Sequence, residues 1–218
     1  LQASQIEFVR YAREHRKHWD TRRADMDEIW RAMQASNHRL IEVTNKLLLL
    51  AQAEQGQVHA RPEPVELGAA ALRCIEQLAA LADRRHIDLG LDVALDAPAM
   101  VLAQPVLLDA LISNLVDNAL RYTQQGGRVT VSVRHADGGR ELVVEDNGPG
   151  IPAEAMERVF DRFYRVASDG DGTGLGLAIV HEVARSCGAS VELGANSHEP
   201  HGVKVTVRFA ALTERSSR

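Results

Sequence analysis

Asn114 and Asn118 stand four residues apart in the segment Asn114-Leu-Val-Asp-Asn-Ala-Leu-Arg-Tyr122. On a helix that spacing puts Asn114, Asn118 and Tyr122 on one polar stripe, with Arg121 beside it and Leu111, Leu115 and Ala119 on the buried side. Carboxamides offer neutral oxygen ligands. A Mg²⁺ ion takes few protein oxygens, keeps several waters and lets phosphate oxygens complete its octahedron. Arg121 could add positive charge to the same phosphates. Taken alone, the stripe reads equally well as a solvated helix face.

Two glycine-rich boxes follow. The first, Asp146-Asn-Gly-Pro-Gly-Ile-Pro152, comes directly after the strand-like Glu-Leu-Val-Val-Glu145. A carboxylate at a strand end can accept a hydrogen bond from an adenine amino group, and it would reject the carbonyl that guanine offers there. Gly148 and Gly150 let the backbone approach a flat ring or take positive φ. The plainer reading is an Asp-Gly turn. The second box, Gly172-Thr-Gly-Leu-Gly-Leu177, runs straight into a helical pattern. Amides at a helix N-terminus bind phosphate through unpaired N–H groups and the helix dipole. No Gly-Lys-Ser/Thr follows, so this is not a P-loop, and its GxGxG spacing does not fit a dinucleotide fingerprint. Between the boxes lies Phe160-Asp-Arg-Phe-Tyr-Arg165. Phe160 and Phe163 are expected to anchor a loop while Arg162 and Arg165 face out. The Asp/Gly-rich stretch after it reads as a short lid.

These groups need elements to hold them. The spacing predicts a helix over 105–122, opened by Pro105 in its first turn. A hairpin-like pair, 128–134 and 141–145, ends at the Asp146 box. A helix over 174–186 begins in the second glycine box. Further strands are expected at 65–67, 87–93, 100–103, 190–193 and 203–209, and a helix at 68–85. The late strands are joined by hairpins, so the fold class is α+β: a two-layer sandwich with a mixed sheet and helices on one face. Residues 64–212 form this domain, 56–63 a Pro-containing linker, and 213–218 a frayed tail. Residues 1–55 read as a helical hairpin whose turn lies in the polar run Arg13–Arg23. Beyond that turn Met26, Met33, Leu40 and Leu47 interleave with Ile29, Ser36, Val43 and Leu50 as an a/d seam, suited to a dimeric bundle.

Composition closes off other classes. The net charge of −5 argues against a dedicated nucleic-acid binder. The longest apolar run, Leu47–Ala51, is far short of a membrane span, so no membrane contact is expected of this chain. Cys74 and Cys187 form no CxxC and read as buried small hydrophobes in a reducing compartment. With no initiator Met and no signal-like segment, the chain is expected to be an excerpt of a longer protein.

The order Asn114–Thr123, Asp146–Pro152, Phe160–Arg165, Gly172–Val180 resembles the N, first glycine, F and second glycine boxes of bacterial sensor histidine kinases. The Asn and glycine boxes are shared in outline with gyrase, mismatch-repair and heat-shock chaperone ATPases. The F box and the upstream helical region favour the kinases. The resemblance implies a Bergerat-type ATP-binding fold, with ATP and Mg²⁺ as cofactors. It implies Asn118 as Mg²⁺ ligand, with Asn114 and Arg121 near metal and phosphates. Tyr122 would line the nucleotide site and Asp146 would read the adenine amino group. Gly148, Gly150 and Ile151 would border the base, and Arg165 would approach the γ-phosphate. Gly172, Thr173, Gly174, Leu175 and Gly176 would form the phosphate loop. It also implies a homodimer through the hairpin, a response regulator receiver domain as partner, and a place as the cytoplasmic portion of an inner-membrane sensor protein.

One feature departs from the family. Its phosphoacceptor histidine is followed by an acidic residue or Gln and a Leu-Arg-Thr-Pro-like stretch, and none of the nine histidines here has that context. The acceptor is expected to lie before Leu1, leaving a chain that binds ATP without phosphorylating itself. The competing readings are a stand-alone superfamily ATPase and a non-enzymatic nucleotide-binding module.

Overall fold

The computed structural model describes residues 2–55, 61–94, 98–136, 138–166, 172–196 and 201–210, with backbone alone for 2–24, 38, 55 and 94. By its internal contacts the chain divides into two compact units, Leu1–Asn45 and Lys46–Arg218.

The first helix, α1, spans Gln2–Gln55 without interruption. The helical character expected of this region is there, but the turn expected in Arg13–Arg23 is not. The physical reason lies in the residue types. No Gly or Pro occurs before Gly56, and Arg, Lys, Glu and Trp are all tolerated in a helix interior. A polar run interrupts apolar periodicity without breaking a helix. In the first unit, the seam residues Met26, Ile29, Met33 and Leu40 are all exposed. In the second unit, Leu50 and Ala53 are buried.

The second unit is a sandwich. Its main sheet contains β2 (Asp88–Ala94), β4 (Arg128–Ala136), β5 (Gly139–Asp146), β7 (Val203–Ala210) and β6 (Ser190–Ala195), in that spatial order. β2 and β4 run parallel and the other neighbours antiparallel, so the sheet is mixed. The period-two pattern decides the faces. Val129, Val131 and Val133 of β4 are buried toward the helices with Leu142 and Val144 of β5 and Val205, Val207 and Phe209 of β7. The alternate positions carry Arg134, Glu145 and Lys204, with Glu145 within 4 Å of both cations. A separate two-stranded ribbon pairs β1 (Glu63–Glu66) with β3 (Met100–Ala103).

Three helices, α2 (Leu67–Arg85), α3 (Pro105–Tyr122) and α4 (Gly176–Ser186), bury Ala70, Ala71, Leu111, Ile112, Val116, Ile179 and Val183 in this layer. Glu66 caps α2 by accepting from Gly68 N–H at 3.0 Å. His86 ends that helix in the left-handed region at φ 54°. Cys74 is buried as expected, whereas Cys187 is only half-buried at the end of α4.

Candidate functional site

α3 presents the first group of candidates. Pro105 sits in its first turn, and eight apolar side chains from Leu107 to Leu120 face the core. That leaves Asn114, Asp117, Asn118 and Arg121 on the opposite side. The C-terminal carbonyls of Leu120 and Arg121 accept from the Arg85 guanidinium of α2 at 3.0 and 3.1 Å. This cation at a helix C-terminus fixes the end of α3. Arg121 is in turn held by Asp117 at 3.2 Å, one turn earlier. Asn114 turns back on its own helix and donates to the Ala110 carbonyl at 2.8 Å.

The second group begins where β5 ends. Asp146 is only 7% exposed. Its Oδ1 accepts from Gly148 N–H at 2.9 Å and Val203 N–H at 3.2 Å. Oδ2 accepts none of the hydrogen bonds seen among the described residues. Burial raises this carboxyl above its ordinary range, and the two backbone donors offset part of that rise. Gly148 packs against protein backbone, where a Cβ would lie 2.9 Å from the Tyr122 carbonyl. Gly150 takes φ +81°.

The third group is the second glycine box. Gly176 opens α4, and a Cβ on it would meet the Asn118 carboxamide at 2.7 and 2.8 Å. Any larger residue at the start of this helix would have to displace the Asn118 carboxamide. Gly174, at φ +69°, accepts from Phe163 N–H at 2.8 Å. The helix starts two positions later than its apolar pattern suggests, because Gly174 takes φ +69°, outside the helical region.

Between α3, β5, β7, the Phe160–Arg165 segment and the glycine box lies a cavity. Of the sequence-derived candidates, Asn118, Arg121, Tyr122, Asp146, Gly150, Ile151, Arg165, Gly172, Thr173, Gly174 and Gly176 line it. Asn114, Gly148 and Leu175 do not; Leu175 is fully buried in the core. Leu115, Ala119, Val144, Val159, Val203 and Val205 give the cavity an apolar wall, Asp146 lies at one side, and Arg121 and Arg165 supply cationic groups. Such a chamber suits a flat base joined to a polyanion.

Two expectations about the aromatic segment fail. Phe163 does not anchor the loop: it is 59% exposed, with φ +63°. Phe160 makes the inward contact, 5.4 Å between ring centroids from His181 of α4. Arg165 lines the cavity instead of facing out. Arg162 does lie outward, paired with Glu54 of α1. The stretch expected to act as a lid falls mostly outside the described residues.

Sequence reasoning missed several lining residues. Asp117 was legible from its i,i+4 spacing to Arg121, and Val203 and Val205 from strand alternation. Tyr164 sits under the Arg158 guanidinium, 4.4 Å from its ring centroid. Lys46 of α1 also lines the cavity, and no local signal connects it to a site so distant in sequence.

A mixed sheet layered against helices, with this chamber between α3, β5, β7 and the start of α4, is an architecture that a class of ATPase shares. Residues 103–213 match the model of the histidine kinase-, DNA gyrase B-, and HSP90-like ATPases, and the chain belongs to that family. Within it, the similar proteins are sensor kinases. The sensor protein kinase PmrB of Pseudomonas aeruginosa is 35% identical over 175 residues, 79% of this chain and 36% of the relative. The swarming motility regulation sensor protein RssA of Serratia marcescens is 34% identical over 79% of this chain and 37% of its own length. The chain thus spans little more than a third of these relatives. Among solved structures, a mycobacterial sensor histidine kinase, MprB, is 32% identical with a TM-score of 0.59, covering 68% of this chain and 97% of that one. The chain carries the histidine kinase ATPase domain of sensor kinases.

Proposed function

We propose that this chain is the ATP-binding and catalytic portion of a sensor histidine kinase, which transfers the ATP γ-phosphate to a histidine and onward to a response regulator. The observation that carries the reading is Asp146. It is a buried carboxylate with one oxygen committed to two backbone donors, while the other accepts no hydrogen bond among the described residues and would suit an exocyclic amino group. The donor set also fits a metal shared with nucleotide. Among the described residues no three His, Cys, Asp or Glu side chains cluster, so a cation here would draw on phosphate oxygens and a single carboxamide. Asn118 is that carboxamide, lying beside Gly176 where the glycine loop enters α4. Bound Mg²⁺ would neutralise charge on the phosphates.

The chain's own residues do the rest. Asp146 selects adenine, and Ile151 and the valine wall exclude water from the base. Tyr122 and the amides of Gly172–Gly176 border the phosphates. Arg121, oriented by Asp117, and Arg165 stabilise negative charge on the transferred group. Asn114, bonded to Ala110, contributes to the shape of α3 behind Asn118. Neutral imidazole is already nucleophilic, so positioning suffices for transfer. The exposed a/d seam of α1 is the surface through which a second copy would pair. None of the nine histidines stands in the family's acceptor context, so this chain binds ATP without labelling itself.

Calorimetry with Mg-ATP tests the site, and a longer form of the protein incubated with γ-labelled ATP tests the activity. The expected results are saturable binding by this chain, no labelling of it, and acid-labile phosphohistidine on the longer form. Absence of nucleotide binding, or of phosphohistidine on the longer form, refutes the reading.

A further inference from the structure

Asp146 reads a base only if its carboxyl is held still, and it is the last residue of β5, paired with Val129 of β4 but past the end of the ladder to β7. The β5–β7 ladder ends at the pair Glu145–Lys204. Beyond it no β7 partner holds the Asp146 carbonyl. On the other side β4 still holds the next residue, with Asn147 N–H donating to the Arg128 carbonyl at 3.2 Å and Arg128 N–H to Asn147 Oδ1 at 2.7 Å, but neither bond reaches the Asp146 carbonyl.

The neck of the β6–β7 hairpin takes over. The Asn196 side-chain amide donates to the Asp146 carbonyl at 2.7 Å, from fifty residues away. Asn196 N–H closes the neck on the Gly202 carbonyl at 3.4 Å. Gly202 presses against the same Asp146 carbonyl so closely that a Cβ would lie 1.9 Å from it. The next residue, Val203, donates its N–H to Asp146 Oδ1. Asp146 is therefore gripped at both ends, the carbonyl by Asn196 and the carboxyl by Val203. Without Asn196 the neck that carries Gly202 and Val203 would lose its tie to the Asp146 carbonyl, and the Val203 N–H that orients Oδ1 would shift with it.

We propose that Asn196 is a positioning residue for base selection, acting through the Asp146 carbonyl and not by contact with nucleotide. This rests on the reading of Asp146 as the adenine-reading group. Its signature is selective: loss of Asn196 weakens the contact to the adenine amino group and spares the rest of the binding energy.

The test compares Mg-ATP with Mg-purine riboside triphosphate, which lacks the 6-amino group, by calorimetry on the 218-residue chain. The wild type should prefer ATP roughly tenfold or more, the weight of one charge-assisted hydrogen bond. Asn196→Ala should reduce that preference to about threefold or less while affinity for the purine analogue stays close to wild type. Asn196→Asp keeps the shape and replaces the donor with an acceptor, so it should show the same collapse and answers for an alanine variant that folds poorly. Undiminished ATP preference in both variants overturns the inference. So does parallel loss of both ligands in both variants, which marks Asn196 as a fold residue only. A wild type that binds both nucleotides without preference sinks the reading of Asp146 itself, and the inference with it.

Discussion

Asp146→Asn should move function and stability in opposite directions. The amide oxygen can still accept from Gly148 and Val203, so the local turn survives. The amide nitrogen then occupies the free position and meets the adenine amino group donor to donor. A hydrogen bond to a charged group contributes about 1.5–3 kcal/mol, so ATP affinity should fall about 10- to 150-fold. ITP presents a carbonyl at the same place, and the ITP-to-ATP affinity ratio should rise. Stability responds to a different term. Burial raises the Asp146 carboxyl above its unfolded value. The folded state therefore holds this proton more tightly than the unfolded state, and wild-type stability is lost as pH rises from the unfolded pKa through the folded one. Asparagine does not titrate. The melting temperature of the variant relative to wild type should accordingly increase between about pH 3.5 and neutrality, the other titrating groups being common to both proteins. Thermal melts at several pH values, with calorimetry for ATP and ITP, measure both effects. A relative melting temperature that falls toward neutral pH would refute the assignment of burial as the dominant influence. Unchanged ATP affinity would refute the base contact.

Three further outcomes follow from the packing. Gly176→Ala forces a methyl into the Asn118 carboxamide, so Mg-ATP affinity should fall at least about tenfold with little change in helix content by circular dichroism. Ile179→Ala hollows the layer between α4 and the sheet, where Ile179 is fully buried, and should cost about 2–5 kcal/mol in denaturant melts without altering base preference. The Cys74 thiol is pushed up to about 12 by burial, with Asp109 adding to the rise. It should therefore stay unmodified by a thiol reagent at pH 8 in the native protein and react once the chain is unfolded.

Much of this protein is legible in its sequence because its signals are local. Pro105 opens α3, alternation marks β4, β5 and β7, and four boxes fix the chemistry of the chamber in their order. The Arg13–Arg23 run shows where local reading fails. Apolar periodicity reports which partner a helix meets, whereas continuity depends on backbone-compatible residues, and this stretch has them throughout. Phe163 shows the same limit, since residue spacing suggested an anchor and a left-handed backbone turned the ring outward.

Tertiary structure alone decided how Asp146 and Asn118 are held. Gly202 and Asn196 grip Asp146 across fifty residues, Gly176 abuts Asn118, and Arg85 ties down the end of α3 from another helix. The sequence determined which chemical groups were present, because residue type and short-range spacing follow from covalent order. Which Asp146 carboxylate oxygen is engaged by Val203, and which residue grips its carbonyl, follow from contacts between segments distant in the chain. Only folding brings those segments together.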